Sequence, residues 1–193
     1  MSRLAQITNA PSDSRAAALL DETERQLGRT PNLYRTMANA PAALSGYLAF
    51  RLALQSGVLG VRVRELIALL VAEENDCHYC VSAHTLRAGK LGIAAETAFA
   101  ARAGEATGDA HIDALLVVAA SVLRTRGEVP DEILASSRLA GVTDEEMVEV
   151  CAHVALNVYS NYVARLTEPD LDFPAAPVLA TTPGTSQTYA AQG

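Results

Sequence analysis

The chain of 193 residues has no tryptophan, only three phenylalanines and six tyrosines, and only three cysteines. It also lacks any excess of positive charge: 15 Lys and Arg stand against 22 Asp and Glu, for a formal net charge of −7. Each scarcity excludes something. An acidic chain without a basic stripe repels phosphate backbones, which argues against a nucleic-acid partner. No apolar run approaches the ~18 uninterrupted residues that mark a membrane span, so no membrane partner is expected. The N-terminal stretch "MSRLAQITNAPSD" has no long apolar run and does not read as a secretory signal. The expectation is a soluble, cytoplasmic protein. Three cysteines, an odd number, make a poor disulfide framework, and in a reducing compartment a close pair of cysteines points to catalysis or metal binding.

What remains is dominated by alanine and leucine, the strongest helix formers. Half of the residues are apolar, enough for a sizeable core. The periodicity is helical throughout, and no alternating strand pattern survives, so the fold is expected to be all-α. Helices are read from Ser12 or Asp13 to Leu27, over "TPNLYRTMANAP", from Pro41 to near Gly57, over "VRVRELIALLVAEEN" and over "CHYCVSAHTLRAGKLG". Further helices follow over "IAAETAFAARAG", "DAHIDALLVVAASVLRTRG" with Asp109 as N-cap, "VPDEILASSRLAGV", and "TDEEMVEVCAHVALNVYSNYVARL". The last opens with Thr143 and Glu146 in a capping-box pattern. A helical domain over 1–168, with a motif core at 60–125, is expected to be followed by a Pro-rich arm or disordered tail over 169–193.

The chemistry is concentrated in "ENDCHYCVSAH", residues 74–84, which holds two of the three cysteines and two of the four histidines. On a helix, Cys77, Cys80 and His84 fall within about 60° of arc. The i,i+4 spacing puts the His84 imidazole within reach of the Cys80 thiol, and Cys77 sits at the helix start, where free N–H groups favour a thiolate. Glu65 lies twelve positions before Cys77 in the apolar run "RELIALL". A short return through "ENDCH" sets the two helices antiparallel and brings Glu65 beside His84, where a carboxylate orients an imidazole base. These residues leave three readings open: a redox dithiol, a zinc site with Cys77, Cys80 and His84 as ligands and His78 or Glu65 as the fourth, or two buried thiols. Cys151 and His153 read as core packing in the last helix, and His111 as a solvated residue in a first turn.

The pattern Glu65, eleven residues, Cys77-x-x-Cys80-x-x-x-His84 resembles the signature of the alkylhydroperoxidase D-like branch of the carboxymuconolactone decarboxylase superfamily. "GRTPNLYRTMANAPAALSGYLAF" and "NVYSNYVARLTEPDLDFP" are similar to the flanks of its longer members, so the resemblance covers roughly residues 25–175. It implies a helical bundle that oligomerises through its helices as a trimer or hexamer, with a thiol peroxidase activity. Cys80 would be the peroxidatic cysteine and Cys77 the resolving one, with His84 as base and Glu65 as relay. A lipoyl- or thioredoxin-like dithiol protein would regenerate the enzyme, and no metal or organic cofactor is implied. One position departs from the pattern. Tyr79 stands where better-characterised peroxidases of the branch resemble Cys-x-His-Cys, and His78 is displaced by one, so both are auxiliary candidates. The alternatives are the superfamily's lactone-processing or decarboxylase chemistry, and a non-catalytic redox-sensing or zinc-binding helical protein.

Overall fold

A computed structural model describes residues 2–179. Among these the chain is all-α, with helices α1 (Arg15–Leu27), α2 (Asn32–Met37), α3 (Pro41–Ala53), α4 (Val61–Glu74), α5 (His78–Lys90), α6 (Ala95–Ala103), α7 (Ala110–Thr125), α8 (Asp131–Leu139) and α9 (Asp144–Thr167). A 3-10 turn at Leu54–Ser56 follows α3. The fold class is the one the periodicity predicts, and the caps explain where the helices begin. Ser14 Oγ accepts the Ala17 N–H at 3.1 Å. The Asp109 carboxylate accepts the N–H groups of His111 and Ile112. Thr143 and Glu146 complete the capping box of α9. Each such cap contributes about 1 kcal/mol.

The centre of the bundle is α4. Leu66, Ile67, Leu69, Leu70, Val71 and Ala72 are all buried, so this helix is apolar around most of its circumference. It packs against α5, α6, α7 and α9. One apolar cluster joins α4 to α6, α7 and α9. A second gathers residues of α1, α2 and α3 around Cys77, Tyr79, Cys80 and Val81. The dithiol thus sits where the N-terminal helices meet the central pair.

The reversal between α4 and α5 is a tight C-cap. The Cys77 N–H bonds to the Ala72 carbonyl and the Asp76 N–H to the Glu73 carbonyl, both at 2.9 Å. This is the Schellman arrangement, with Asp76 at φ 48° in the left-handed position. Side chains of α9 hold the turn in place: Asn75 Nδ2 donates to Asn161 Oδ1 at 3.1 Å, and Arg165 Nη1 donates to the Asn75 carbonyl at 2.6 Å.

Of the expected arm over 169–193, residues 180–193 lie outside the described residues. Residues 168–179 have no regular secondary structure and run back over the bundle. Asn32 Nδ2 donates to the Asp170 carbonyl at 2.9 Å, the Ala176 N–H to Ser82 Oγ at 3.0 Å, and Arg102 Nη2 to the Pro177 carbonyl at 2.9 Å. We refer to this segment as the strap.

Two expectations about single residues are corrected. Cys151 is exposed rather than in the core. His111 is only half-buried but is not freely solvated: Nε2 lies 2.9 Å from Glu146 Oε1 and Nδ1 3.2 Å from the Ala140 carbonyl. His153 is buried, as expected, and its Nε2 has no hydrogen-bond partner. Burial, helped by the nearby Arg64 charge and opposed by Glu149, lowers its pKa to about 4. An unfolded histidine titrates near 6.5, so between that pH and about 4 the unfolded chain takes up a proton that the folded chain refuses. Stability is therefore lost as pH falls through this window. Urea unfolding at pH 7 and pH 5 should register a loss of about 2 kcal/mol from this residue. A His153→Leu variant should show a correspondingly flatter profile, and equal slopes for the two proteins would contradict the assignment.

Candidate active site

The residues of the predicted site converge. Cys77 is the N-cap of α5 rather than a residue of its first turn, and its Sγ accepts the Cys80 N–H at 3.4 Å. The two cysteines stand at disulfide distance, with Cα atoms 5.3 Å apart. Both are almost fully enclosed, Cys77 at 1% and Cys80 at 3% exposure. A helix start carries a partial positive charge, and a thiolate placed there is favoured over the neutral thiol.

The antiparallel return of α5 along α4 brings His84 Nδ1 to 2.6 Å from Glu65 Oε1. Arg87, one turn further along α5, reaches the other carboxylate oxygen, Nε to Oε2 at 3.2 Å. Glu65 is only 2% exposed. Burial alone pushes its pKa up, but the charge and hydrogen bond of His84, with the charges of Arg87 and Arg51, outweigh it, so the carboxyl lies below its ordinary value. An ionised Glu65 accepts only, so Nδ1 of His84 must carry the proton of that bond. When the ring is neutral, its lone pair is on Nε2, the nitrogen available to act as a base.

Cys80 and His84 share the wall of a cavity of about 320 Å³. Leu33, Tyr34, Tyr79 and Phe173 give it an apolar aromatic face, and Arg51, Arg87 and Lys90 line it as well. A neighbouring cavity of about 300 Å³ holds the Glu65 side of the pair, with Arg64, His153 and Asn157. Cys77 opens elsewhere: it lines a groove of about 530 Å³ with His78, Arg3, Arg165 and Glu168. The two cysteines of one dithiol therefore border different hollows. His78 is exposed and stands on the Cys77 side, away from the His84 imidazole.

Tyr79 is buried with its hydroxyl satisfied twice. It donates to Asp172 Oδ1 at 2.7 Å and accepts the Leu33 N–H at 3.2 Å. Burial holds the phenol well above its ordinary pKa; the Leu33 bond works against this, while the Asp172 bond and charge add to it. Tyr79 thus stays protonated and donates a hydrogen bond rather than exchanging protons near neutral pH. Asp172, Phe173 and Arg29 are site residues that sequence reasoning did not single out. Arg29 pairs with Asp172 and lies over the Phe173 ring, 4.4 Å from its centroid.

The same architecture occurs in solved structures. An uncharacterized peroxidase-related protein from Ralstonia eutropha JMP134, described as an alkylhydroperoxidase AhpD core, superposes with a TM-score of 0.78. It is 25% identical, over 89% of this chain and 92% of that one. Residues 40–110 match the sequence model of the carboxymuconolactone decarboxylase family. Over those residues the chain resembles that family, and over most of its length its fold is similar to the alkylhydroperoxidase AhpD core. An uncharacterized peroxidase-related protein from Silicibacter sp. TM1040 shares the fold, with a TM-score of 0.75 at 22% identity over 87% of this chain and 90% of that one. So does the debrominase Bmp8, solved as a cysteine-to-alanine variant with 2,3,4-tribromopyrrole, with a TM-score of 0.72 at 15% identity over 89% and 94% of the two chains. No curated protein matches the chain. Among the described residues, no helix is long and apolar enough to cross a membrane.

Proposed function

We propose that the protein is a dithiol-dependent hydroperoxide reductase. Cys80 is the attacking thiolate, Cys77 the resolving thiol, His84 the base, and Glu65 the group that orients the base. The observation that carries this reading is the Cys77–Cys80 pair at disulfide distance, with Cys80 lining the same cavity as the Glu65-bound imidazole of His84.

In the reduced protein, His84 Nε2 takes the Cys80 proton. The thiolate attacks the terminal oxygen of the hydroperoxide, the O–O bond breaks, and the alkoxide leaves as the alcohol with the proton held by His84. Cys80 is now a sulfenic acid. Cys77 attacks its sulfur, the hydroxyl leaves as water with the Cys77 proton, and the disulfide closes. An external dithiol, of the lipoyl- or thioredoxin-like class, returns two electrons and two protons by exchange. The net reaction converts one hydroperoxide and one dithiol into an alcohol, water and a disulfide. The aromatic wall of the cavity favours an organic hydroperoxide as substrate, because apolar surface is what such a wall binds.

Assembly as a trimer or hexamer belongs to the same proposal. On α9, Val148, Cys151, Ala155, Tyr159, Tyr162 and Leu166 recur at three- and four-residue spacing and are all exposed, with Tyr159 also meeting the Tyr47 ring, so one stripe of the longest helix is largely open among the described residues.

The test is thiol alkylation and mass mapping of the reduced protein after one equivalent of an organic hydroperoxide. Cys77 and Cys80 should both become resistant to alkylation and appear as one cross-linked peptide, while Cys151 stays free. Two alkylatable thiols at Cys77 and Cys80 after peroxide would refute the reading. Turnover of a lactone by a protein carrying both Cys77→Ser and Cys80→Ser would point instead to the chemistry that gives the superfamily its name.

A further inference from the structure

Tyr79 occupies the interior of the CxxC motif, yet its hydroxyl is turned toward the strap and away from any acid–base role. The strap has no ladder of its own, so its course depends on side chains that catch it. Asp172 is the most heavily tied point: Oδ1 accepts from the Tyr79 hydroxyl, Oδ2 accepts the Asn32 N–H at 3.1 Å, and Arg29 pairs with the carboxylate. The next residue, Phe173, is fixed by the same group. Its ring meets Tyr79 edge-on at 5.4 Å and 72°, and the Arg29 guanidinium covers it. Phe173 in turn lines the cavity that Cys80 borders.

We propose that Phe173 sets the size of the molecule admitted to Cys80, and that Tyr79 is the positioning residue that holds it there through Asp172. This deepens the reading of Cys80 as the reacting thiol and rests on it. The substrate class follows from the geometry: compact or flat organic hydroperoxides pass the Phe173 ring, and bulky branched ones are retarded. The Tyr79 substitution in the motif has a physical sense on this view. A side chain that moves no proton is used to clamp a distant segment of chain over the dithiol.

The experiment uses thiol reagents, so it stays readable whether or not the protein reduces peroxides. Alkylation rates at Cys80 in the reduced full chain are measured by peptide mapping, with iodoacetamide as the small probe and a pyrenyl maleimide as the bulky one. The wild-type protein should discriminate against the bulky probe. In Phe173→Ala the ratio of bulky to small rates should rise by about tenfold, the size of effect expected when one wall of a pocket is removed. Tyr79→Phe keeps the ring and loses the hydroxyl; its ratio should move in the same direction, with faster hydrogen exchange in the strap. Phe173→Leu serves as the smaller step if the alanine variant does not fold. An unchanged ratio in a folded Phe173 variant would overturn the role of the ring. Unchanged hydrogen exchange and an unchanged ratio in Tyr79→Phe would overturn the role of Tyr79. Normal alkylation in a wild-type protein inert to peroxide would sink the peroxidase reading and the hydroperoxide substrate class, while the roles of Phe173 and Tyr79 in access to Cys80 would stand.

Discussion

Replacing Cys80 with serine should reduce hydroperoxide consumption by on the order of a thousandfold or more, to the level of the free dithiol donor, because no other group at the site replaces a thiolate nucleophile. A hydroxyl at this position faces the same His84 and the same helix start, but it ionises far less readily than a thiol. Cys77→Ser should behave differently. The first step survives, so one equivalent of hydroperoxide is consumed quickly and turnover then stops. Cys80 remains as a sulfenic acid, or as a mixed disulfide when a dithiol is present. The contrast separates the two sulfurs: stopped-flow consumption should vanish in Cys80→Ser and show a single-equivalent burst in Cys77→Ser. A burst in Cys80→Ser and none in Cys77→Ser would exchange the assignments, and full turnover in either would remove the disulfide from the cycle. The different surroundings of the two sulfurs agree with a division of labour. Cys80 borders the aromatic cavity, whereas Cys77 borders a separate groove lined in part by Arg3, Asp76, Arg165 and Glu168.

Local pattern was enough for some of these features and insufficient for others, and the division follows from physical range. Glu65, Cys77, Cys80 and His84 lie on two consecutive helices joined by a short turn. Helical pitch and an antiparallel return then bring them together, and neither depends on the rest of the chain. Cys77 as the N-cap, and Asp76 in the left-handed position before it, follow from the same short turn. Asp172 and Phe173 were illegible for the opposite reason. They lie 93 and 94 positions from Tyr79, in a Pro-rich stretch without periodicity, and are placed by side-chain contacts that no local pattern encodes. Cys151 was misread because its neighbours are apolar. The pitch of α9 sets it in line with Val148, Tyr159 and Tyr162 rather than with the buried Val150 and Val154. An apolar stripe on a helix identifies a face to be covered, but not whether this chain or another covers it.

The second large effect concerns the buried carboxylate. Glu65→Gln should slow hydroperoxide reduction by about 10²-fold at neutral pH, comparable with the loss expected for His84→Gln, since general-base assistance contributes ~10²–10⁴-fold. The amide keeps the shape of the side chain. It loses the charge that holds Nδ1–H of His84, and its NH₂ group can present a donor where an acceptor is needed. On the proposed function Glu65 acts through His84, so the two losses should not multiply, and a protein carrying both substitutions should be about as slow as the slower single variant. Multiplying losses would mean that the two residues serve separate steps. Stability provides a second readout. The folded pKa of Glu65 lies below its unfolded value, so its contribution is present above about pH 4.5 and is lost as pH falls through the folded value. His84 and Arg87 each keep partial contact with solvent, and their rehydration limits the cost of losing the carboxylate. Glu65→Gln should therefore destabilise the fold by about 1–3 kcal/mol at pH 7, less than the full penalty for breaking an enclosed ion pair. A rate loss near 10²-fold with so small a change in unfolding free energy would place Glu65 in the proton path. A collapse of stability with the residual rate unchanged per folded molecule would make it a packing residue instead.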